Sequence, residues 1–180
     1  MKHKGIMDEQ SDMRVHVCPK TGELYVFATE AGRKCVRQYI QDGRDAVEAK
    51  QPGVSETTAV GYLVRPSEIE GMILMYPRKV SWKRYDFVSG DLSQKGTEAE
   101  RMIAEMCSEG LIPLGRKGGT QVRVVKKGTD ENISGSDIVA SPGGVVKIQV
   151  KLDSRGGAVQ RGGSGRLYLQ TDERNPLGLI

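Results

Sequence analysis

Histidine, cysteine and aromatic residues are scarce in this chain: two His, three Cys, two Phe and one Trp among 180 residues. Both histidines, His3 and His16, lie near the N-terminus, so no Ser-His-Asp or Cys-His pairing for nucleophilic catalysis emerges. Cys18, Cys35 and Cys107 are an odd, widely spaced set, which excludes a disulfide framework and reads as free thiols in a reducing cytoplasm. His16, Cys18 and Cys35, with His3, are the one set that suggests zinc. An H-x-C followed by a lone Cys lacks the paired ligands of a four-coordinate site, and buried thiols with a surface His are expected instead. No apolar run approaches the roughly 20 residues that span a bilayer, so no membrane partner is expected. Met1-Lys2-His3-Lys4-Gly5 carries no apolar signal region, and a cytoplasmic protein is the expectation. Gly118-Gly119-Thr120 lacks the spacing of a phosphate-binding P-loop. There is no internal repeat.

What is present is the composition of a folded domain, with 37% hydrophobic and 28% charged residues. The length suits one domain or two small ones. Net charge is only +4, but it is unevenly placed. Between Arg116 and Thr171 ten basic residues (Arg116, Lys117, Arg123, Lys126, Lys127, Lys147, Lys151, Arg155, Arg161 and Arg166) face four acids, Asp130, Glu131, Asp137 and Asp153. A positive face of that kind suits a polyanion, and equally a merely solvated surface.

Residues 1–12 are polar and expected to be loose. Val15 and Val17 alternate with polar residues, Pro19-Lys20-Thr21-Gly22 turns the chain, and Leu24 to Phe27 returns as the second strand of a hairpin. Residues 30–50 carry apolar positions at mostly helical spacing, interrupted at Gly43. A loop follows over 51–58, then strands or short helices at 60–64 and 71–76. Lys79 to Val88 alternates like a strand, and its Trp82 and Tyr85 among basic residues suit either a packed strand or base stacking. Ser93 is the expected N-cap of a helix with Glu98 and Glu100 in its first turns. Ala99, Met102, Ile103 and Met106 form its apolar face, and Gly110 ends it. Gln121 to Val125 reads as a strand, and 129–135 as a polar loop. Ile138 to Ala140 and Val145 to Lys151 read as an antiparallel hairpin about Ser141-Pro142-Gly143-Gly144. The Gly-rich stretch 156–165, with Arg-Gly-Gly at Arg155 and Arg161, reads as a loop, either merely mobile or closing over phosphates. A last short strand spans 166–170, and the tail is irregular.

Metal-dependent phosphodiester hydrolysis needs hard oxygen ligands for the ion and a cation beside the scissile phosphate. Gln149 and Lys151, two apart on a strand, project to one face. Asp137 lies across the hairpin from them, and Glu100, on the preceding helix, adds a carboxylate. The bland reading of the same residues is a turn cap, a wet strand face and a helix N-terminal charge.

Ser136-Asp137-Ile138-Val139-Ala140 followed by Ile148-Gln149-Val150-Lys151 resembles the PD-(D/E)XK nuclease superfamily. With Lys95-Gly96-Thr97-Glu98-Ala99-Glu100-Arg101, then Glu109-Gly110 and Gly118-Gly119, it looks like the archaeal-type Holliday junction resolvases. The resemblance covers residues 93–155. It implies Glu100 as the helix carboxylate, Asp137 as central metal ligand and Gln149 as a ligand through its amide oxygen. It adds the Val150 carbonyl as a further contact and Lys151 as the group that orients water or stabilises the transition state, with Mg²⁺ or Mn²⁺ as cofactor. Thr120 stands where resolvases carry a serine near the phosphate. Gln149 replaces the common glutamate, and a Gly-rich loop stands where the family continues into a helix.

The expectation is thus an α/β (α+β) chain. A small N-terminal α+β region (1–90) precedes a restriction-endonuclease-like domain (91–180) in which a helix flanks a mixed central sheet. The expected function is a DNA-associated, metal-dependent endonuclease of recombination or repair. Arg101, Arg116, Lys117, Thr120, Lys126, Lys127, Arg155 and Arg161 are its DNA contacts. The substrate is branched DNA, or linear duplex as for restriction or homing enzymes, and a homodimer cuts the two strands symmetrically. A non-catalytic nucleic-acid-binding module and a structural docking protein are the competing classes.

Overall fold

In strand β1 (Met13–Cys18) apolar Val15 and Val17 alternate with Arg14 and His16, so the two faces of the strand need different environments. The computed structural model, which describes residues 5–50, 58–115, 120–153 and 165–171, supplies both. Strand β2 (Glu23–Ala28) folds back on β1 as the expected hairpin, Met13 facing Ala28 and Cys18 facing Glu23. Helix α1 (Thr29–Gln41) follows directly, then β3 (Val47–Lys50), β4 (Thr58–Val64), β5 (Ile73–Met75) and the single turn α2 (Lys79–Trp82). The second half runs α3 (Leu92–Ser108), β6 (Gln121–Val124), the turn α4 (Asp130–Ile133), β7 (Ile138–Ser141), β8 (Val146–Leu152) and β9 (Leu167–Gln170).

Six strands form one mixed sheet in the order β5-β2-β1-β8-β7-β6, and three form a second in the order β3-β4-β9. Strands β6, β7 and β8 are an antiparallel meander, and β1 lies parallel to β8, Val15 against Val150. The expected boundary near residue 90 therefore cuts through both sheets instead of falling between them. Strands from before and after it pair in the large sheet (β1 with β8) and in the small one (β4 with β9).

One face of the large sheet, with Val15, Val17, Leu24, Val26, Ile138, Ala140, Ile148 and Val150, packs against Ala99, Met102, Ile103, Met106 and Cys107 of α3. On the other side Tyr25 and Phe27 join Cys35, Val36 and Tyr39 of α1 and Tyr62, Val64, Leu167 and Leu169 of the small sheet. Close approach there needs Gly32, whose missing Cβ would stand 2.7 Å from Ile6 Cδ1. Among the described residues no helix is long and apolar enough to cross a membrane.

Several local expectations are corrected. Helix α3 is capped by Asp91, not Ser93: its carboxylate accepts the Gln94 N–H at 2.9 Å while Gln94 Oε1 accepts the Asp91 N–H at 2.8 Å. That reciprocal pair satisfies two orphan donors, which a lone serine does not. The predicted stop holds. Gly110 (φ 73°) donates to Cys107 and Leu111 to Met106, closing the helix on a left-handed residue. The predicted strand over 79–88 is instead a helical turn and bends, fixed by the Trp82 indole donating to the Pro77 carbonyl at 3.2 Å. Tyr85, buried against α3, bonds Glu105 and lies under the Arg101 guanidinium, 4.5 Å from ring centre to Cζ. The polar loop 129–135 contains the turn α4, capped by Thr129. The helical stretch expected to 50 ends at Gln41, and its last residues form β3.

The N-terminal segment also differs from expectation, for residues 5–12 are tied down. Ile6 is fully buried, and its N–H donates to Gln170 at 2.8 Å. Glu9 and Arg14, both buried, form a two-pronged ion pair with both contacts at 2.9 Å, and Ser11 bridges Glu9 to Thr29. A charge of either sign left alone there would be strongly unfavourable, so the pair fixes the segment across the sheet.

The α3 face carries the main core, so shortening Ile103 to alanine is expected to cost about 2–5 kcal/mol. Urea unfolding should show a lower midpoint with an unchanged slope.

Candidate metal and nucleic-acid site

Asp137 stands one residue before β7, continuing the register that sets Ile138 against Ile148, which places it opposite Gln149. Its backbone is held on both sides: the N–H donates to the Ile148 carbonyl at 2.9 Å, and its carbonyl accepts from Val125 at 2.8 Å. The carboxylate is held as firmly. Oδ2 accepts the Val150 N–H at 2.9 Å, and Oδ1 accepts from the Asn132 amide at 3.3 Å. The contact from Val150 that the structure displays is thus its N–H, which aims the Asp137 side chain.

Glu100 reaches the same place from α3. Both carboxylates are 5% exposed. Between them lies the Lys127 ammonium, paired to Glu100 and 3.9 Å from Asp137 Oδ1. Burial pushes the Asp137 carboxyl above its ordinary range, against the Val150 N–H and the charges of Lys127 and Lys151, which lower it. Burial likewise raises Glu100, Lys127 lowers it, and the charge on Asp137 raises it again. The two acids therefore sense each other through a shared cation.

On β8, Val146, Ile148 and Val150 turn toward α3, which leaves Gln149 and Lys151 together on the opposite face. Gln149 Oε1 is buried with no hydrogen-bond partner, an acceptor that burial leaves unpaid. Lys151 is close enough to Asp137 for its charge to matter there. The structure thus gathers Glu100 and Asp137 about Lys127, sets Gln149 across the hairpin from Asp137 and keeps Lys151 near enough for its charge to reach Asp137; Glu100 comes from the α3 side of the sheet, whereas Gln149 and Lys151 lie on its other face.

Sequence reasoning missed part of the surroundings. The parallel ladder sets Arg14 beside Gln149 and His16 beside Lys151. His16, expected at the surface, is 4% exposed and packs on Phe27 at 5.5 Å between ring centres. Burial first, then the charges of Arg14 and Lys151, hold its pKa well below the ordinary value, so it is neutral, and Nε2 has no partner. The signal was legible in Met-Arg-Val-His-Val-Cys, where polar residues interleave an apolar strand. Asn132 gave no such signal. Cys18 and Cys35 are buried thiols outside any disulfide, as expected, and His3 lies outside the described residues. Among the described residues no three His, Cys, Asp or Glu side chains gather as a metal-binding group, so a set at this site needs the Gln149 amide.

The predicted DNA contacts are distributed unevenly. Lys126 and Lys127 are exposed on the loop between β6 and α4, and Thr120 is half-buried just before β6. Arg101 is bound to acids of its own helix, Glu98 at 2.6 Å and Glu105 at 3.4 Å. Arg116, Lys117, Arg155 and Arg161 lie outside the described residues. No family model, no curated protein and no solved structure matches the chain.

A carboxyl raised by the fold binds its proton more tightly when folded than unfolded. Its contribution to stability then falls as pH rises from the ordinary carboxylate range through the raised value. Asp137→Asn keeps an acceptor for Val150 and removes the buried charge. In metal-free buffer it should melt at a higher temperature than wild type at pH 7, with the gap closing as pH falls toward about 4. A gap of the same size at both pH values would show that charge burial is not its cause.

Proposed function

We propose that this chain is a metal-dependent DNA endonuclease with a restriction-endonuclease-like core, and that Glu100, Asp137, Gln149 and Lys151 do its chemistry. The observation that carries this reading is the pair of buried carboxylates gathered around one cation, with an unpartnered amide oxygen on Gln149, the residue opposite Asp137 in the hairpin register. Hard oxygen donors of this kind suit Mg²⁺ or Mn²⁺. The unpaired Gln149 Oε1 would supply a third oxygen, and the Lys127 ammonium already marks the two acids as a place that attracts positive charge. The order of elements supports the same reading: helix α3, then the meander β6-β7-β8, with a parallel strand against β8.

Glu100, Asp137 and Gln149 would hold the ion, with the Val150 N–H fixing the direction of the Asp137 carboxylate. Bound there, a divalent ion supplies a Lewis acid for a phosphoryl oxygen and a more acidic water. Lys151, on the same face as Gln149, sets a positive charge where charge develops on the phosphate in the transition state. Lys127, Lys126 and Thr120, with Arg116, Lys117, Arg155 and Arg161, would be the phosphate contacts in this reading. Arg101 joins them only by leaving Glu98 and Glu105. A branched DNA is the preferred substrate in this reading, and a homodimer makes paired cuts.

Labelled linear, single-stranded and four-way-junction DNA incubated with Mg²⁺ or Mn²⁺ tests it. Wild type should cut, and Lys151→Ala should slow cleavage about 10²–10³-fold while remaining folded. Asp137→Ala should lose cleavage and metal dependence together. Preferential cutting of linear duplex would assign a restriction or homing type. Salt-dependent binding without cleavage under either metal would make the chain a non-catalytic DNA-binding module.

A further inference from the structure

Lys127 is built differently from the acids that it joins. Glu100 sits on a long helix and Asp137 just ahead of a sheet strand, with 7% of each side chain exposed, whereas the Lys127 side chain is 60% exposed. Its backbone is pinned at each end of a short loop. On one side Val125 donates to the Asp137 carbonyl, and on the other Thr129 caps α4 while Gly128 (φ 81°) turns the chain. The acids are therefore fixed, and the lysine's long side chain can leave without moving its own backbone.

Charge decides what happens when a divalent ion arrives. One ammonium offsets one of two carboxylate charges, and a divalent ion offsets both. The ammonium and the ion cannot occupy the same carboxylate lone pairs, and at such separations they repel. We infer that Lys127 is a tethered counter-ion that holds Glu100 and Asp137 together until a divalent cation displaces it, and that the released ammonium then binds a DNA phosphate. This rests on the metal-dependent nuclease reading and adds a coupling to it. One side chain makes metal loading and phosphate binding mutually favourable, because whatever draws the ammonium away from the acids helps the other ligand.

Calorimetric titration of Mn²⁺ into chelator-stripped full-length protein tests the displacement without reference to activity. Lys127→Met should bind Mn²⁺ on the order of tenfold more tightly than wild type. Its melting temperature should also rise more on adding Mn²⁺. Lys126→Met is the control, since it removes the same charge one residue away and no ion pair joins Lys126 to either acid among the described residues. It should change Mn²⁺ affinity by less than about twofold. In a Lys151→Ala background, which keeps both carboxylates, Mn²⁺ should steepen the salt dependence of DNA binding by about one phosphate contact, and adding Lys127→Met should abolish that increment.

Equal Mn²⁺ affinity in wild type and Lys127→Met, with binding still lost in Asp137→Ala, overturns the tethered counter-ion and leaves the metal site standing. Equal tightening by Lys126→Met overturns it too, as an effect of the general field. Absence of any Mn²⁺ binding that Asp137→Ala removes overturns the metal site and this inference together.

Discussion

The parallel ladder between β1 and β8 is the constraint on which the rest of the molecule depends. It joins a hairpin from the start of the chain to a meander from near its end, and makes one six-stranded sheet of them. Each strand buries apolar residues on one side and offers polar ones on the other, so a parallel register fixes two things at once. It aligns Val15 and Val17 with Val150 and Leu152 beneath α3, and it sets Arg14 and His16 beside Gln149 and Lys151. A slip by one residue would exchange the two faces and place a guanidinium in the apolar core. The Glu9 carboxylate, gripping Arg14 from the N-terminal segment, guards against that slip.

The site lies where this arrangement is electrostatically least comfortable. Two carboxylates are buried near each other, a histidine is buried neutral, and an amide oxygen has no donor. A sheet built for stability alone would put apolar side chains in these positions. The discomfort is localised by strong backbone bonds around Asp137, which keep the carboxylate in place despite the cost. Rigid backbone beneath strained electrostatics is what the proposed cation site would need, since an ion bound there would relieve what the fold alone leaves unsatisfied.

Sequence patterns of short range were legible. The β1–β2 hairpin follows from alternation and a glycine turn, the end of α3 from Gly110, and the β7–β8 hairpin from two apolar runs about Pro142-Gly143. The approach of Asp137 to Gln149 was also legible, because both lie within one hairpin, and so was a carboxylate from the preceding helix, Glu100, which meets Asp137 through Lys127. What depended on distant pairing was not. Nothing local says that β1 lies beside β8 or that β9 joins β4, and without those pairings His16 looks like a surface residue and residue 90 like a boundary. The Lys79–Val88 stretch misled for a related reason. Its alternation is that of a strand, but β5 lies at the sheet's edge, and Trp82 and Tyr85 find their partners through a bent chain instead.

The β1–β8 pairing also sets an order of events during synthesis. The hairpin emerges first, yet the strand that flanks β1 arrives only when residues 146–152 have been made. Until then the open edge of β1 and the apolar side chains that α3 later covers stay exposed on a growing chain. Contacts of such long sequence separation form slowly, and unpaired strand edges invite wrong partners. A truncation before β8 leaves β1 without its parallel partner and the apolar face beneath α3 incomplete.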